Sequence, residues 1–431
     1  MAELIRARKL SAREVMQAHL ARIERENPRV NAIVTLAAEQ AMADALLADE
    51  WQAQGQLLGP LHGLPVAFKD LVDTAGMRTT YGSPIFKDYI PAADAIHVGR
   101  VKAAGAIGVG KTNTPEFGAG SQTFNTVFGA TKNPHDVTKT CGGSSGGSAV
   151  ALACGMVPLA DGTDHGGSLR NPAAFCGVVG LRVSPGLVPE AVKGTTNLNV
   201  NGPMGRTVPD VALLLSVMAD KDYRGDLARD FKGVRVAWFK DMGGIPFERP
   251  ILDAVNAQRR VFEDLGCIVE EAEPDWNGVW ESYDTLRAWG FAARHAENVG
   301  RHGDLVKDTI HWEVERGLRL SEADFVRANA QRAAAIQRCA EFFKTYEYFI
   351  APTTQVLPFD VNQPYPMEVA GVKMKTYVDW QKSCMLISCL ETPAISVPCA
   401  PMIGLQIVGH HRDEWSVLQL AQAFKAATPS G

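Results

Sequence analysis

Two glycine- and serine-rich clusters constrain this chain more than any other feature of its sequence. The first is Cys141-Gly-Gly-Ser-Ser-Gly-Gly-Ser148, and the second is Asp164-His-Gly-Gly-Ser-Leu-Arg170. Glycine loses more conformational entropy on folding than any other residue, so clustered glycines need a structural reason. That reason can be a flexible turn, a phosphate cradle or an oxyanion hole. Because two such clusters flank one short helix candidate and both contain serine, they favour a binding or catalytic site over turns.

The segment Gly105-Ala-Ile-Gly-Val-Gly-Lys-Thr112 matches the P-loop pattern letter by letter. A P-loop needs a strand before the glycine loop and a helix that begins at the Lys-Thr pair. Here the β-branched residues Ile107 and Val109 lie inside the would-be loop, and Pro115 and Gly118 weaken a following helix. The pattern therefore does not predict a nucleotide-binding site.

The Gly-x-Ser-x-Gly pattern of the nucleophile elbow fits twice, at Gly142–Gly146 and at Gly143–Gly147. An elbow requires a buried strand directly upstream. Residues 133–140 form a turn-rich stretch instead, and the downstream histidines (295, 302, 311, 410 and 411) have no distinctive setting. An α/β-hydrolase mechanism remains a weaker alternative.

Helical and β-branched segments alternate along the chain. Residues 2–50 and 94–104 have helical periodicity, while Val66–Phe68 and Ala106–Val109 are strand candidates. This alternation is typical of an α/β layer fold. At 431 residues the chain exceeds the usual domain size, but it contains no linker-like segment and no internal repeat. We therefore expect one large domain over 1–431.

Composition excludes several classes of function. A net charge of −5 offers no basic field for nucleic acid or an anionic membrane surface. The apolar runs are too short to span a bilayer, and the charged N-terminus does not resemble a signal peptide, so we expect a cytoplasmic protein. The eight cysteines include no Cys-x-x-Cys pair, which argues against a zinc site, and no metal or organic cofactor is expected.

The clusters and their surroundings resemble the amidase signature family. The resemblance covers nearly the whole chain, with a core signature region over 62–182. It rests on the following segments: Gly63-Leu-Pro-Val-Ala-Phe-Lys-Asp70, Gly110-Lys-Thr-Asn-Thr-Pro-Glu-Phe117, Gly142–Ala149, Gly162–Leu181, Ala351-Pro-Thr-Thr354 and Gly404-Leu-Gln-Ile-Val-Gly409. It implies a mixed, mostly parallel, twisted central sheet covered by helices, and a serine hydrolase that cleaves amides.

The resemblance also implies a Ser–cis-Ser–Lys triad, with Ser168 as nucleophile, Ser144 as bridging serine and Lys69 as base. A serine hydroxyl is a poor nucleophile until a neighbouring base accepts its proton. Lysine is such a base only when it is neutral, which burial favours. Lys69 directly follows the apolar run Val66–Phe68, in agreement with a buried stem. In the family the peptide bond between Gly143 and Ser144 is cis.

The second cluster supplies the remaining candidates. We expect the backbone N–H groups of His165, Gly166, Gly167 and Ser168 to form the oxyanion hole. Asp164 and Arg170 are expected to support the site or to form a structural ion pair. Many relatives carry a small residue at the position of His165, whose side chain either donates a hydrogen bond near the scissile group or, as we expect, fills space.

The substrate is less constrained than the reaction. Aromatic and small residues outside the clusters are candidates for the substrate pocket: Phe117, Gly118, Trp289 and Trp380. A stand-alone enzyme for small, apolar or aryl amides, with esters and carbamates as further substrates, fits better than a glutamine-hydrolysing subunit of a tRNA amidotransferase. The stretch after Ser184 lacks the pattern of such subunits. A non-catalytic binding or assembly protein is the third alternative, and a homodimer remains open.

Overall fold

Side-chain caps set the helix ends near the N-terminus. In this computed structural model, the Ser11 side chain accepts the N–H of Glu14, whose carboxylate accepts the N–H of Ser11, and this capping box starts the second helix. The helix ends where Asn31 adopts a left-handed conformation with φ 54°. A short strand, Ile33–Leu36, then interrupts the helical run expected over 2–50.

The structure describes residues 1–190 and 196–428. The α-helices of these residues are α1 Ala2–Arg6, α2 Ala12–Val30, α3 Ala38–Ala53, α4 Ile96–Ala103, α5 Gly146–Ala153, α6 Arg170–Cys176, α7 Val208–Ala219, α8 Arg249–Asn256, α9 Arg259–Asp264, α10 Val279–His302, α11 Asp308–Leu318, α12 Glu322–Phe342, α13 Lys382–Cys389 and α14 Glu414–Ala427. The strands are β1 Ile33–Leu36, β2 Pro65–Lys69, β3 Ile107–Thr112, β4 Phe124–Asn125, β5 Gly129–Ala130, β6 Leu159–Asp164, β7 Val179–Arg182, β8 Val200–Gly205, β9 Arg235–Trp238, β10 Ile268–Glu271, β11 Tyr348–Pro352, β12 Glu368–Val369, β13 Val372–Lys373, β14 Ala394–Ala400 and β15 Ile403–Val408.

One eleven-stranded mixed sheet, in the order β1-β3-β2-β6-β8-β7-β14-β15-β11-β9-β10, organises the α/β fold. Four of its ten neighbouring pairs are parallel, and they lie in two groups, β3-β2-β6 and β11-β9-β10. The other six pairs are antiparallel. The α/β class and the mixed sheet are confirmed, but antiparallel pairs outnumber the parallel ones that the resemblance implies. Among the antiparallel pairs, β14-β15 is a hairpin with a short connection, while most of the others join strands that are not consecutive along the chain.

The parallel group β3-β2-β6 positions the glycine and serine clusters. All five residues of β2 are buried, as expected for a central strand covered on both faces. Because β2 and β6 run in the same direction, Lys69 and Asp164, their last residues, lie at the same edge of the sheet. The P-loop-like segment forms β3, and the Lys111 ammonium is buried against Thr74, so this segment has no phosphate-binding loop.

No helix among residues 1–190 and 196–428 has the length and apolar character needed to cross a membrane.

Candidate active site

Lys69 ends in a buried group of hydroxyls. Its Nζ atom lies 2.7 Å from Ser144 Oγ, 2.9 Å from Ser145 Oγ and 2.8 Å from Thr163 Oγ1. The lysine side chain is fully buried, and the backbone N–H of Lys69 donates to Asp161. The structure therefore brings together two of the three predicted catalytic residues, Lys69 and Ser144, at hydrogen-bond distance.

Burial changes the acidity of the Lys69 ammonium. Desolvation lowers its pKa from the usual 10.5 to about 7, although the carboxylates of Asp161 and Asp164 oppose this shift. A lysine with a pKa near neutrality is present in good part as the free amine at physiological pH. A substantial share of Lys69 is therefore in the neutral form that a general base requires.

Ser145, which the sequence analysis did not single out, limits which hydrogen bonds Lys69 can form. Its hydroxyl donates to the carbonyl of Thr163, so its oxygen serves as an acceptor for Lys69 and for the Thr163 N–H. A neutral amine has two N–H donors and one lone pair. With Ser145 as the acceptor of one N–H, the other N–H and the lone pair face the Thr163 and Ser144 hydroxyls, so the lone pair can accept the Ser144 proton. Its position next to Ser144 in the first cluster is the sequence feature that could have identified Ser145.

The glycines of the first cluster bring its backbone close to β3. A Cβ atom on Gly147 would lie 2.3 Å from the backbone nitrogen of Asn113, which no side chain allows. The peptide bond between Gly143 and Ser144 is cis, as expected from the resemblance. Residues 133–140, upstream of the cluster, form turns and isolated bridges, so the strand that a nucleophile elbow requires is absent from this described stretch.

Ser168 lies on the other side of the same opening. Its carbonyl accepts the N–H of Ser145 at 3.1 Å, which ties the two clusters together. Within the described residues, the Ser144 and Ser168 hydroxyls form no hydrogen bond with each other. The expected relay is therefore formed between Lys69 and Ser144 but not between Ser144 and Ser168. Hydrogen bonds between catalytic groups are often long without substrate and tighten when it binds, and a serine hydroxyl reorients by rotation about one bond.

The second cluster leaves three of the four expected oxyanion donors free. The N–H of Gly167 donates to Asp164 Oδ1 at 2.8 Å, so it is not available to a substrate oxygen. Across residues 1–190 and 196–428, the N–H groups of His165, Gly166 and Ser168 have no hydrogen-bond acceptor. Gly167 has φ 115°, a conformation that favours glycine and turns the chain back on itself.

Asp164 holds this turn through ion pairs. Its carboxylate lies 3.1 Å from Arg170 Nε and 3.2 Å from Arg182 Nη1, with all three side chains fully buried. Burial alone would raise the pKa of Asp164, but the two guanidinium charges outweigh it and hold that pKa far below its usual range. Asp164 and Arg170 thus form a buried ion pair, and Arg182, at the end of β7, is a further partner that the sequence analysis did not name. Nothing in the sequence between Arg170 and Arg182 signals this contact.

A cavity of about 540 Å³ opens onto these residues. Its wall includes Ser144, Ser168, Phe117 and Gly118, as expected. Trp289 and Trp380, the other two predicted pocket residues, are not among the residues that line it.

Both tryptophans pack elsewhere. Trp289 stacks on Phe325 at 4.6 Å between ring centroids. Trp380 is buried in a separate apolar cluster beside Phe175. Core packing explains the position of Trp380, because large aromatic side chains gain most from burial, whereas Trp289 is only partly buried.

The cavity also has residues that the sequence analysis missed, from helix α10: Arg287, Phe291, Arg294 and His295. These positions are far from both clusters in sequence and carry no local motif. The described residues contain no group of three or more His, Cys, Asp or Glu side chains placed to hold a metal ion. A larger cavity of about 860 Å³ lies between α1, α7 and α14, but none of its lining residues belongs to the two clusters.

Comparisons with known proteins identify the family of this chain. The family model described as Amidase matches residues 14–418. An acylamidase of Rhodococcus erythropolis is 34% identical, over 100% of this chain and 94% of that protein. A subunit of the glutamyl-tRNA(Gln) amidotransferase of Alkaliphilus metalliredigens is also 34% identical, over 97% of this chain and 93% of that protein.

A solved structure is similar over the same extent. The crystal structure of a bacterial aryl acylamidase, of the amidase signature enzymes, has a TM-score of 0.92 at 26% identity, covering 100% of this chain and 95% of that one. Family model, relatives and structure all match over nearly the full length of the chain. The chain belongs to the amidase family of amide-bond hydrolases.

Proposed function

We propose that this amidase is a stand-alone hydrolase of small acylated amides, aryl amides included, which acts through an acyl-enzyme on Ser168. The observation that carries the proposal is the buried amine of Lys69, 2.7 Å from Ser144 Oγ, in a cavity whose wall also contains Ser168. The similarity to an acylamidase and an aryl acylamidase supports the substrate class.

In the acylation step, Ser168 Oγ attacks the amide carbonyl carbon. The hydroxyl proton of Ser168 moves to Ser144 Oγ while the Ser144 proton moves to Lys69 Nζ, which becomes an ammonium. The carbon–oxygen bond to Ser168 forms, and the carbonyl oxygen becomes an oxyanion. The free N–H groups of His165, Gly166 and Ser168 are the donors for that oxyanion.

Collapse of the tetrahedral intermediate breaks the carbon–nitrogen bond. The proton on Lys69 returns through Ser144 to the leaving nitrogen, which departs as a neutral amine or ammonia. Water then attacks the acyl-enzyme with the same relay as base. The carboxylic acid leaves, and the Ser168 hydroxyl and the neutral Lys69 are restored. Every proton is accounted for by these three side chains and one water molecule.

The cavity wall supports an apolar acyl or aryl group. Leu71, Val72, Phe117 and Phe291 contribute apolar surface to it. A volume of about 540 Å³ suits a small molecule. Because the acyl-enzyme chemistry needs only a carbonyl and a leaving group, esters and carbamates are further substrates.

The similarity to amidotransferase subunits favours one alternative, hydrolysis of glutamine. A substrate panel tests both, with acyl anilides, alkyl amides, an ester, a carbamate and glutamine, and with products detected by intact mass. We expect the anilides to have the highest kcat/KM and glutamine to release little ammonia. Preferential ammonia release from glutamine would replace the proposal, and no turnover of any substrate would favour the non-catalytic alternative.

The pH profile follows from the acidity of Lys69. Its ammonium has a pKa of about 7, and only the neutral amine accepts a proton. We therefore expect kcat/KM for an anilide to rise with pH up to a bend near 7 and to level off above it. Circular dichroism at each pH controls for unfolding. A profile that is flat from pH 5 to 9, in a folded protein, would exclude Lys69 as the base.

A cytoplasmic location and the absence of nucleic-acid and membrane partners remain predictions from the sequence. The oligomeric state, with a homodimer as one candidate, is measured by light scattering.

A further inference from the structure

His165 stands directly before the two glycines of the second cluster. It lies on the cavity wall together with Ser168 and Thr163. Its Nδ1 atom is 2.9 Å from the hydroxyl oxygen of Tyr283, a fully buried residue of α10 that does not line the cavity. The Nδ1 side of the imidazole ring is thus fixed by a residue behind the cavity wall.

The surroundings of His165 define its protonation state. Burial, together with the nearby charges of Arg287 and Arg294, keeps the pKa of His165 well below its usual value. The ring is therefore neutral at physiological pH and carries one N–H.

The position of that proton is tied to the contact with Tyr283. A tyrosine hydroxyl beside a neutral imidazole nitrogen can donate its proton to it, and we assign this arrangement to Tyr283 and His165 Nδ1. In this tautomer the proton of the neutral ring is on Nε2.

The Nε2 atom is buried, yet it has no hydrogen-bond partner among the residues that the structure describes. Buried polar atoms without a partner are uncommon in folded proteins and call for an explanation. Because Nδ1 is bonded to Tyr283 and His165 lines the cavity, Nε2 is the ring nitrogen that a bound ligand can satisfy once the ring turns toward it.

We propose that the Nε2–H group of His165 turns to the cavity and donates a hydrogen bond to a neutral acceptor on the substrate, close to the scissile amide. This inference rests on the proposed amidase function and makes it more specific. The preferred substrates carry an ether, carbonyl or similar oxygen near the amide, rather than a plain hydrocarbon. A neutral donor selects such an uncharged acceptor, and it neither donates nor accepts the reacting proton.

Matched substrates test this donor. One pair is butyranilide and methoxyacetanilide, which differ by a methylene or an ether oxygen in the acyl chain. The other pair is the acetanilides of 2-ethylaniline and 2-methoxyaniline, which differ in the same way on the leaving group. The measured quantity is the ratio of kcat/KM, ether member over hydrocarbon member. A ratio cancels general losses of activity.

Two variants form the matched comparison, His165→Gln and His165→Met. They have similar length, but only glutamine keeps an N–H donor at the far end of the side chain. We expect a preference of about tenfold for the ether member of at least one pair in the unsubstituted enzyme, mainly through KM. His165→Gln should keep part of this preference, and His165→Met should reduce the ratio to about 1.

A ratio near 1 in both pairs for the unsubstituted enzyme would overturn the inference, and so would a preference that survives His165→Met. Labelling of Ser168 with a fluorophosphonate distinguishes a failure of the His165 proposal from a failure of the proposed amidase function. An enzyme that is labelled and hydrolyses anilides without discrimination refutes the role of His165 alone. An enzyme that is neither labelled nor active refutes the proposed function, and this inference falls with it.

Discussion

Ser168→Ala is expected to reduce kcat for an acyl anilide by about 10⁵- to 10⁶-fold, because it removes the atom that forms the acyl-enzyme bond. Residual activity would come from the oxyanion donors and from substrate binding alone. The same variant should lose labelling by a fluorophosphonate, which intact-mass spectrometry measures directly. Ser168 is only partly buried and forms no side-chain hydrogen bond within the described residues, so its loss should change stability little.

Ser144→Ala is the control for the assignment of the nucleophile. Ser144 lies beside Lys69 but has no donor cluster of its own for an oxyanion, so its loss should slow labelling and leave the adduct on Ser168. Peptide mapping locates the adduct. An adduct on Ser144 or Ser145 in the unsubstituted enzyme would contradict the mechanism and restore the nucleophile-elbow alternative.

Lys69→Met should have the second largest effect, a loss of about 10²- to 10⁴-fold in kcat/KM at neutral pH, because the relay then lacks a base. Methionine has similar length and suits a fully buried site, so the change removes the amine without adding bulk. Kinetics with an acyl anilide measure the loss, and circular dichroism verifies the fold. A loss below tenfold in a folded protein would contradict the role of Lys69.

Lys111 offers a matched control in the neighbouring strand. It is also fully buried, and desolvation lowers its pKa to about 8, but its ammonium contacts Thr74 and the carbonyl of Val72 rather than the serines. Lys111→Met should therefore retain labelling of Ser168, and any loss of activity should follow a measured loss of stability. If Lys69→Met and Lys111→Met lost the same activity at equal stability, the loss would come from removing a buried lysine in general. It would then not support Lys69 as the catalytic base.

Local sequence was sufficient to predict much of the site. The glycines around Ser144 and Ser168 indicated close backbone approach, and the structure has Gly147 packed against the backbone of Asn113. The apolar run before Lys69 predicted a buried stem, and β2 is buried throughout. The glycines and the apolar run could be recognised from the sequence because they are properties of adjacent residues. The partner that each one packs against could not.

Sequence reasoning failed where a contact depends on strand order. Arg182 reaches Asp164 because β7 and β6 both pair with β8, and no local pattern reports that arrangement. The same holds for Tyr283 on α10, which contacts His165 across the cavity wall. Residue type also did not show that Trp289 and Trp380 lie outside the lining of this cavity, because the position of an aromatic side chain depends on how its helix packs.

The sequence by itself determined the chemistry that is available: two serines in glycine-rich turns, and a lysine at the end of an apolar strand. Residue type and local backbone freedom are properties of short stretches of the chain, so the sequence is enough to predict them. Only the tertiary structure decided how these groups interact. The parallel pairing of β2 with β6 places Lys69 beside Thr163 and within hydrogen-bond distance of Ser144, and burial there lowers the pKa of Lys69 to about 7. Desolvation is a property of the whole packed surroundings, so no stretch of sequence specifies it.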